Sequence, residues 1–374
     1  MTVSNSSVTI RTATESDIES LKTFFIEAYG DDTIFRDEKF LRYYFFKNHK
    51  DSQCVVAATD TGEIVSHYGG LPSEICLNGK IISLVWGVNA YTLPEWRGKG
   101  LNGKMVDYLL KNNEANSGIG MAIDSTLFYK KLDYNVFNQD TYDRFVYILD
   151  EKAYDIVAII GQDVERAKRL FPVNLPKKNN NFDSIVEITA ENFETFTFDI
   201  TPKNICTTNR NRAFLAWRLF GNPYVTYKVY GYLNSDNITA YLAFREETLM
   251  PTGLIVNRIV DLAGTDAGVD VLLQSIVDTS QKDKRIYIDF SAFGKLYENL
   301  LQANGFIKLA DADVALLPQV SSPIMHRENH EFVAIQSIKY ADAIKKLSKE
   351  NVYFTRIDAD RDRINKLYQI QTIS

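Results

Sequence analysis

An α/β fold, in the α+β sense, built as two related units is what the sequence predicts, and three observations carry it. Strand-like runs joined mostly as hairpins are interleaved with helical spacing, in the order β-α-β-β-β-α-β, from Ile10 to Asp124. A segment near the start also returns near the middle. Phe40-Leu41-Arg42-Tyr43-Tyr44-Phe45-Phe46-Lys47-Asn48-His49 aligns with Phe214-Leu215-Ala216-Trp217-Arg218-Leu219-Phe220-Gly221-Asn222-Pro223, 174 residues on. Finally, 374 residues with 45% hydrophobic content suffice for two to three cores at about 150 residues each.

In chain order, a short extended run from Ile10 precedes Thr14-Glu15-Ser16-Asp17, a capping-box pattern, and then Ile18, Leu21, Phe25 and Ala28 at helical spacing. Cys54 to Thr59 and Glu63 to Gly69 are β-rich runs parted by Asp60-Thr61-Gly62, a hairpin signal. Lys80 to Leu93 is a longer β-rich run, broken by Pro94 to Gly103. Met105, Val106, Leu109 and Leu110 mark a helix, and Gly120 to Asp124 a further strand. Without a gap, the repeat sets the turn Asp60-Thr61-Gly62 against Asn234-Ser235-Asp236. Gly253 to Leu262 then reads as a strand, Val269 to Ser280 as a helix, Arg285 to Phe290 as a strand and Leu296 to Phe306 as a helix. This gives a first unit over 1–150, a linker region over 151–182 containing Lys177 to Asn181, a second unit over 183–320 and a C-terminal segment over 321–374.

Composition removes several function classes. The 42 Lys+Arg against 48 Asp+Glu give a net charge of −6, with no basic block, so nucleic acid has no electrostatic footprint. No run approaches the roughly 18 apolar residues of a spanning helix, and the start MTVSNSSVTIR lacks the regions of a signal peptide, so a cytoplasmic protein without membrane insertion is expected. Cys54, Cys76 and Cys206 are odd in number and far apart, which argues against a disulfide framework or a zinc site. An anionic small ligand would need a local pocket.

Gly98-Lys99-Gly100-Leu101-Asn102-Gly103 matches G-x-G-x-x-G, with Asp124 at the end of the next expected strand. A dinucleotide site is opposed by Pro94-Glu95-Trp96-Arg97 between strand and first glycine, and by the hairpin that precedes the unit where a doubly wound sheet would begin. Taken as one unit, Leu93-Pro94-Glu95-Trp96-Arg97-Gly98-Lys99-Gly100 resembles the R-x-x-G-x-G/A loop of the GNAT superfamily of N-acyltransferases, with Asn102 where that family has Gly or Ala. Tyr129-Lys130-Lys131-Leu132-Asp133-Tyr134 resembles its Y-x-K-L-G-F, with Asp133, a residue that tolerates the left-handed conformation, in place of glycine. The physics is independent of the name, since glycines before a helix N-terminus expose N–H groups that can seat a pyrophosphate. The resemblance covers about residues 8–150. It implies tandem units, each a mixed, mainly antiparallel twisted sheet flanked by helices, and acyl-CoA as co-substrate with no prosthetic group or metal. It implies that Tyr91, Thr92, Leu93, Arg97, Gly98, Lys99, Gly100, Leu101, Asn102 and Gly103 hold coenzyme A. The second unit has Gly264-Thr265-Asp266-Ala267-Gly268 there, without a basic residue, and is expected to have lost that binding.

For thioester aminolysis the resemblance implies an oxyanion donor among the backbone N–H groups of Ala90 to Leu93, and Tyr129 as proton donor to the thiolate; an ordinary packing role is the other reading of Tyr129. Lys80 to Leu93 contains no Asp or Glu to serve as base. The candidates are His67, with an ordinary pKa near 6.5, and Asp124; the alternatives are a structural strand histidine and a turn-capping aspartate. An acceptor amine with a pKa of about 8, as on a sugar, is already about a tenth deprotonated at pH 7 and needs less help.

Asp358, Asp360 and Asp362 imitate a calcium loop, but Arg363 stands where Gly is needed and Gln369 where Glu is needed, so a solvated, salt-bridged segment is expected. VYFTRIDADRDR, Trp217-Arg218 and the length also resemble the nucleotide-sugar N-acyltransferases that act on a dTDP-linked 3-amino-3,6-dideoxyhexose. That likeness implies a short or hydroxylated acyl group and places the C-terminal segment near the acceptor. A dTDP group calls for arginines and an aromatic face, for which Trp217, Arg218, Arg245 and Arg258 are the candidates. An aminoglycoside, polyamine or peptide acceptor would instead call for carboxylates, and a non-catalytic acyl-CoA-binding protein for neither.

Overall fold

The computed structural model describes residues 7–48, 50–121, 123–137, 141–174, 182–202, 204–318, 324 and 332–372, and the expected linker at Lys177 to Asn181 lies outside them. The chain runs β1 (Val8–Thr12), α1 (Ile18–Tyr29), α2 (Glu38–Leu41), β2 (Val55–Thr59), β3 (Ile64–Leu77), β4 (Lys80–Thr92), α3 (Leu101–Asn112), β5 (Ala115–Met121), α4 (Ile123–Lys131), β6 (Asn135–Val136) and β7 (Asp143–Ile148). It continues α5 (Ala153–Ile159), α6 (Val164–Leu170), β8 (Ile185–Ile188), β9 (Thr197–Phe198), β10 (Cys206–Thr208), α7 (Arg212–Leu215), β11 (Lys228–Asn234), β12 (Asn237–Leu249) and β13 (Leu254–Gly264). Last come α8 (Asp266–Lys282), β14 (Tyr287–Phe293), α9 (Glu298–Ala303), β15 (Ile307–Lys308), β16 (Phe332–Gln336), α10 (Ala341–Ile344) and β17 (Val352–Thr355). The fold is the expected mixed, mainly antiparallel α/β architecture, and no helix among the described residues is long and apolar enough to cross a membrane.

Local chemistry explains the elements that place the site. The Asp17 carboxylate accepts the Thr14 N–H at 2.8 Å and both arms of Arg11 at 2.7 Å, completing the capping box in front of α1. Leu21, Phe24 and Phe25 then bury that helix against the sheet. Gly62, at φ +84°, turns β2 into β3, and β3 and β4 form a long antiparallel ladder from Leu77 opposite Lys80 to Ser66 opposite Thr92. β4 then pairs parallel with β5, but only from Leu84 opposite Ala115 to Gly87 opposite Gly118.

The repeat is visible in backbone detail. α2 leads into a π-helical turn at Arg42–Phe46 and α7 into one at Ala216–Phe220, so the two helical segments keep the register of the sequence repeat. Each is capped alike: Asp37 accepts the Phe40 N–H at 2.7 Å and Asn211 the Phe214 N–H at 2.9 Å. The two turns meet where Trp217 Nε1 donates to the Tyr43 carbonyl at 3.2 Å. In the second unit β11 and β12 form the expected hairpin at Asn234 to Asn237, β12 pairs with β13, and β13 runs parallel to β14.

The sheets do not respect the sequence boundaries expected at 150 and 321. β7, from the first unit, lies in the second sheet with Ile148 opposite Tyr287, while β16, from the C-terminal segment, lies in the first with Val333 opposite Ile119. The first unit thus supplies β7 between β14 and β15 of the second sheet, and the C-terminal segment supplies β16 between β5 and β6 of the first. β17 then joins the two, parallel to β10, which sits on β3, and antiparallel to β14. One apolar cluster runs through both units accordingly, from Phe25 and Trp86 to Phe214 and Phe354.

A second correction concerns the strand expected at Gly120 to Asp124, which begins earlier, at Ala115, and gives way to α4 at Ile123. Asn116 and Ser117 look like loop residues. They are fully buried here because β4 and β16 flank β5 on both sides, and Ser117 Oγ donates to the Ala334 carbonyl at 2.7 Å.

Candidate functional site

The parting of β4 from β5 is set by two glycines and filled by two phenols. Gly87 and Gly118 form the last paired position. A Cβ on Gly87 would lie 2.3 Å from Tyr68 Oη and displace it, and one on Gly118 would lie 3.0 Å from Met121 Sδ and 3.2 Å from Tyr129 Cζ, a fit tight enough that these side chains must give by a few tenths of an ångström. The two hydroxyls are 3.2 Å apart, with Tyr134 edge-on to Tyr129 at 4.9 Å between ring centres. Burial pushes both phenols above their ordinary pKa, Tyr68 furthest, so both hold their protons at neutral pH.

Just beyond the parting, β4 bulges. Asn89 adopts φ +52° and the ladder to β3 slips between His67 and Gly69. A bulge re-aims backbone groups, and the N–H groups of Ala90 to Thr92 follow it. The Leu93 N–H is committed to the Val65 carbonyl at 3.0 Å, which takes it out of the expected oxyanion donors. Thr92 Oγ1 sits 2.7 Å from Ser66 Oγ.

Arg97, Gly98, Lys99 and Gly100 are all exposed, ahead of α3. Gly98 and Gly100 adopt φ +79° and +70°, conformations that favour glycine, and Gly100 is the N-cap residue. Arg97 Nε donates to the Thr92 carbonyl at 3.1 Å with its guanidinium 5.4 Å from the Tyr91 ring, while Lys99 Nζ lies 3.9 Å from the Trp96 ring. Leu101 and Met105 anchor the helix in the core, Asn102 is half-buried, and a Cβ on Gly103 would meet open space. Asp133 takes the left-handed turn anticipated for it, at φ +60°. The first-turn N–H groups of α3 have no intrahelical acceptor, so a pyrophosphate fits the chemistry of this loop.

His67 is not placed as a base. It is fully buried against Phe25 and Phe45, Nδ1 pairs with the Asn89 carbonyl at 2.9 Å, and Nε2 lies 3.2 Å from Cys54 Sγ. That partner set makes Nδ1 the protonated nitrogen, and burial pushes the imidazole down to about 4. The residue holds the bulge. Because it binds fewer protons folded than unfolded between about pH 6.5 and 4, its share of stability is complete above pH 6.5 and falls by up to about 1.4 kcal/mol per unit below it. Urea titrations of wild type and His67→Asn should therefore converge as pH falls from 6.5 to 4. Asp124 is the second residue of α4, and its side chain lies outside those described.

The second-unit candidates divide. Arg258 pairs with Glu247 at 2.8 Å and Asp289 at 2.6 Å, and Arg245 with Asp362 at 3.0 Å and Glu247 at 3.2 Å. These two arginines are occupied structural partners, which removes them as free phosphate ligands. Trp217 is buried against Tyr43, and Arg218 is buried beside it with no carboxylate partner among the described residues.

The C-terminal segment is not the solvated strip its charges suggested. Asp358 and Asp362 are buried, and Arg363 Nη1 donates to Asn89 Oδ1 at 3.2 Å while pairing with Asp360 at 3.3 Å. Arg361 packs close enough to Gly120, at the end of β5, to lie 3.2 Å from a Cβ there. Residues 360–363 therefore touch the ends of both strands that part. Among the described residues no group of three or more His, Cys, Asp or Glu could hold a metal. Tyr68, Asn89, Gly87, Gly118 and Arg363 escaped the sequence reading; the two glycines were the available signal, each sitting inside a β-rich stretch.

Residues 9–137 match the family model described as the acetyltransferase (GNAT) domain, and no curated protein matches the chain. Among solved structures, a conserved protein of unknown function from Enterococcus faecalis V583, described as a probable N-acyltransferase, has a TM-score of 0.54 at 12% identity, over 89% of this chain and 73% of that one. Saccharomyces cerevisiae N-myristoyltransferase with bound myristoyl-CoA has a TM-score of 0.51 at 9% identity, over 90% and 83%. A GCN5-related N-acetyltransferase from Kribbella flavida has 0.51 at 11%, over 90% and 73%. At these identities the likeness is one of fold. Residues 9–137 are thus similar to an acetyltransferase (GNAT) domain, and the fold over about nine-tenths of the chain is similar to that of these solved structures.

Proposed function

We propose that the chain is an acyl-CoA-dependent N-acyltransferase whose acceptor is an amine on a nucleotide-linked sugar. The observation that carries the transfer is the buried Tyr68–Tyr129 hydroxyl pair at the glycine-lined parting of β4 and β5, in the same unit as the exposed glycine loop. The acyl-CoA co-substrate is supported by that loop and by the myristoyl-CoA bound in the yeast neighbour. The dTDP-3-amino-3,6-dideoxyhexose acceptor and a short or hydroxylated acyl group rest on the likeness of the C-terminal segment and of Trp217-Arg218. Placement of residues 360–363 beside the β4 bulge agrees with an acceptor-side role.

In this mechanism coenzyme A lays its pyrophosphate on the N–H groups of Gly98 to Gly103 beside Arg97. The acceptor amine, neutral in about a tenth of molecules at a pKa of about 8, attacks the thioester carbon. The oxyanion is met by N–H groups in Ala90 to Thr92. Collapse reforms the carbonyl and breaks the C–S bond; Tyr129 protonates the departing thiolate, and the amine releases its proton to solvent. Tyr68 holds the Tyr129 hydroxyl and gives the phenolate a route to be reprotonated.

Thiol release from acetyl-CoA and 3-hydroxybutanoyl-CoA, measured across a panel of dTDP-amino sugars, an aminoglycoside, a polyamine and a peptide amine, tests the reading. Turnover should select the nucleotide sugars; no turnover with any of them removes the acceptor assignment. Arg97→Ala should raise the acyl-CoA KM by about tenfold, equivalent to about 1.4 kcal/mol, and leave kcat within about twofold. A fall in kcat alone would contradict a binding role for Arg97.

A further inference from the structure

We propose that Arg218, with the hydroxyl of Tyr44, forms an anion-binding subsite between the two units that takes a phosphate or carboxylate borne by the acceptor. The inference rests on the acyl-transfer reading for the word acceptor, and on charge matching for the site. Every buried carboxylate nearby has its arginine. Asp261 has Arg210 at 2.9 Å, Asp289 has Arg144 and Arg258, Glu247 has Arg258 and Arg245, and Asp362 has Arg245. Asp358 has Arg210 at 3.6 Å and the Thr355 N–H at 2.7 Å, and Asp360 has Arg363.

Arg218 is the exception. Its side chain is 5% exposed and stacks near Trp217 at 5.0 Å, yet no carboxylate comes within 4.0 Å and its buried Nε has no hydrogen-bond partner among the described residues. A buried guanidinium without a counter-charge is among the most costly arrangements a fold can keep. Tyr44 Oη, also buried, has no partner there either. Native structures leave few such groups, and two together mark a place for a ligand or water.

The groups belong together. The Arg218 guanidinium lies 5.0 Å from the Trp217 ring, Trp217 lies 6.1 Å from Tyr43, and Tyr43 lies 6.4 Å from Tyr44, and both tyrosines act electrostatically on Arg218. Tyr44 is joined through the Phe35 ring, 5.9 Å away, to Arg363, whose guanidinium lies 4.9 Å from that ring and which bonds Asn89 at the β4 bulge. The cluster is thus linked through the C-terminal segment to the strand end where the thioester is placed. Three carboxylates act on the cluster, Asp360 on Tyr44, Asp362 on Tyr43 and Asp358 on Arg218, and each is held by another arginine, Arg363, Arg245 and Arg210 in turn. Arginine suits phosphate and carboxylate alike, by parallel N–H donors.

The test is calorimetric titration of the full chain held with saturating coenzyme A, so that the glycine loop is already occupied. dTDP and inorganic pyrophosphate probe the phosphate arm, and D-glucuronate the carboxylate arm. One arm should bind once per chain, Arg218→Met should weaken it at least tenfold, and Arg218→Lys should restore part of the loss. Unchanged coenzyme A affinity in both variants shows that they are folded. Absence of binding in both arms, or equal binding in Arg218→Met, overturns the subsite. Arg218-dependent anion binding without transfer to any nucleotide amino sugar overturns the proposed acceptor and leaves the subsite standing.

Discussion

Replacing Tyr129 by phenylalanine lowers kcat by about 10²- to 10⁴-fold and leaves the acyl-CoA dissociation constant within about threefold, if the phenol protonates the leaving thiolate. The ring itself is retained, so packing against Tyr134 survives, and only the hydroxyl 3.2 Å from Tyr68 is lost. Because burial raises the Tyr129 pKa, the proton-donor form is the resident one across the neutral range, and activity should not fall there through loss of that proton. The rise of activity with pH should instead follow the acceptor amine, with an apparent pKa near 8. Stopped-flow thiol release and coenzyme A calorimetry separate the two readouts. Tyr68→Phe should cost less, since it removes a partner of the donor rather than the donor. Wild-type turnover in Tyr129→Phe would return Tyr129 to the packing role that was the other reading of its sequence context.

The second large effect is on stability. Asp289 is fully buried on β14, with Arg144 of β7 at 2.9 Å, Arg258 of β13 at 2.6 Å and Arg356 of the C-terminal segment at 3.6 Å. It joins the exchanged strand to the unit that receives it. Burial alone would raise its carboxyl, but these arginines outweigh burial and hold it well below the usual carboxylate range. Asp289→Asn leaves three guanidinium groups facing a neutral amide and should cost about 3–5 kcal/mol, read as a lower urea midpoint. The sign of the pH effect follows. A carboxyl held below its unfolded value contributes fully above about pH 4 and loses that contribution as pH falls, so wild type should lose stability steeply in acid while the variant falls less. Parallel acid profiles for the two proteins would show that the network carries no net stabilisation.

Local patterns in the sequence were enough for the repeat, the hairpins and the glycine loop, because each depends on neighbours in the chain. The matched caps Asp37 and Asn211 and the paired π-helical turns are that repeat made structural. Strand exchange was not legible. Asp143–Ile148 and Phe332–Gln336 are short strands of buried residues that would suit either sheet, and the choice of partner is made by contacts distant in sequence. The same limit governed the arginines. Residue type marks Arg218, Arg245 and Arg258 as equal candidates, and only the positions of Glu247, Asp289 and Asp362 distinguish the one left unpaired. His67 stood out as a rare histidine on a strand, but its role follows from the Asn89 carbonyl across a bulge that no local pattern announces.

The central claim is that the parting of β4 and β5 is the place where a thioester of coenzyme A reacts. A crystal structure of the full chain with coenzyme A bound tests it most directly. The account predicts pyrophosphate oxygens within hydrogen-bond distance of the Gly98 to Gly103 backbone and the thiol sulfur beside Tyr129 Oη. Coenzyme A bound elsewhere, or bound on that loop with its sulfur directed away from Tyr129, would contradict it.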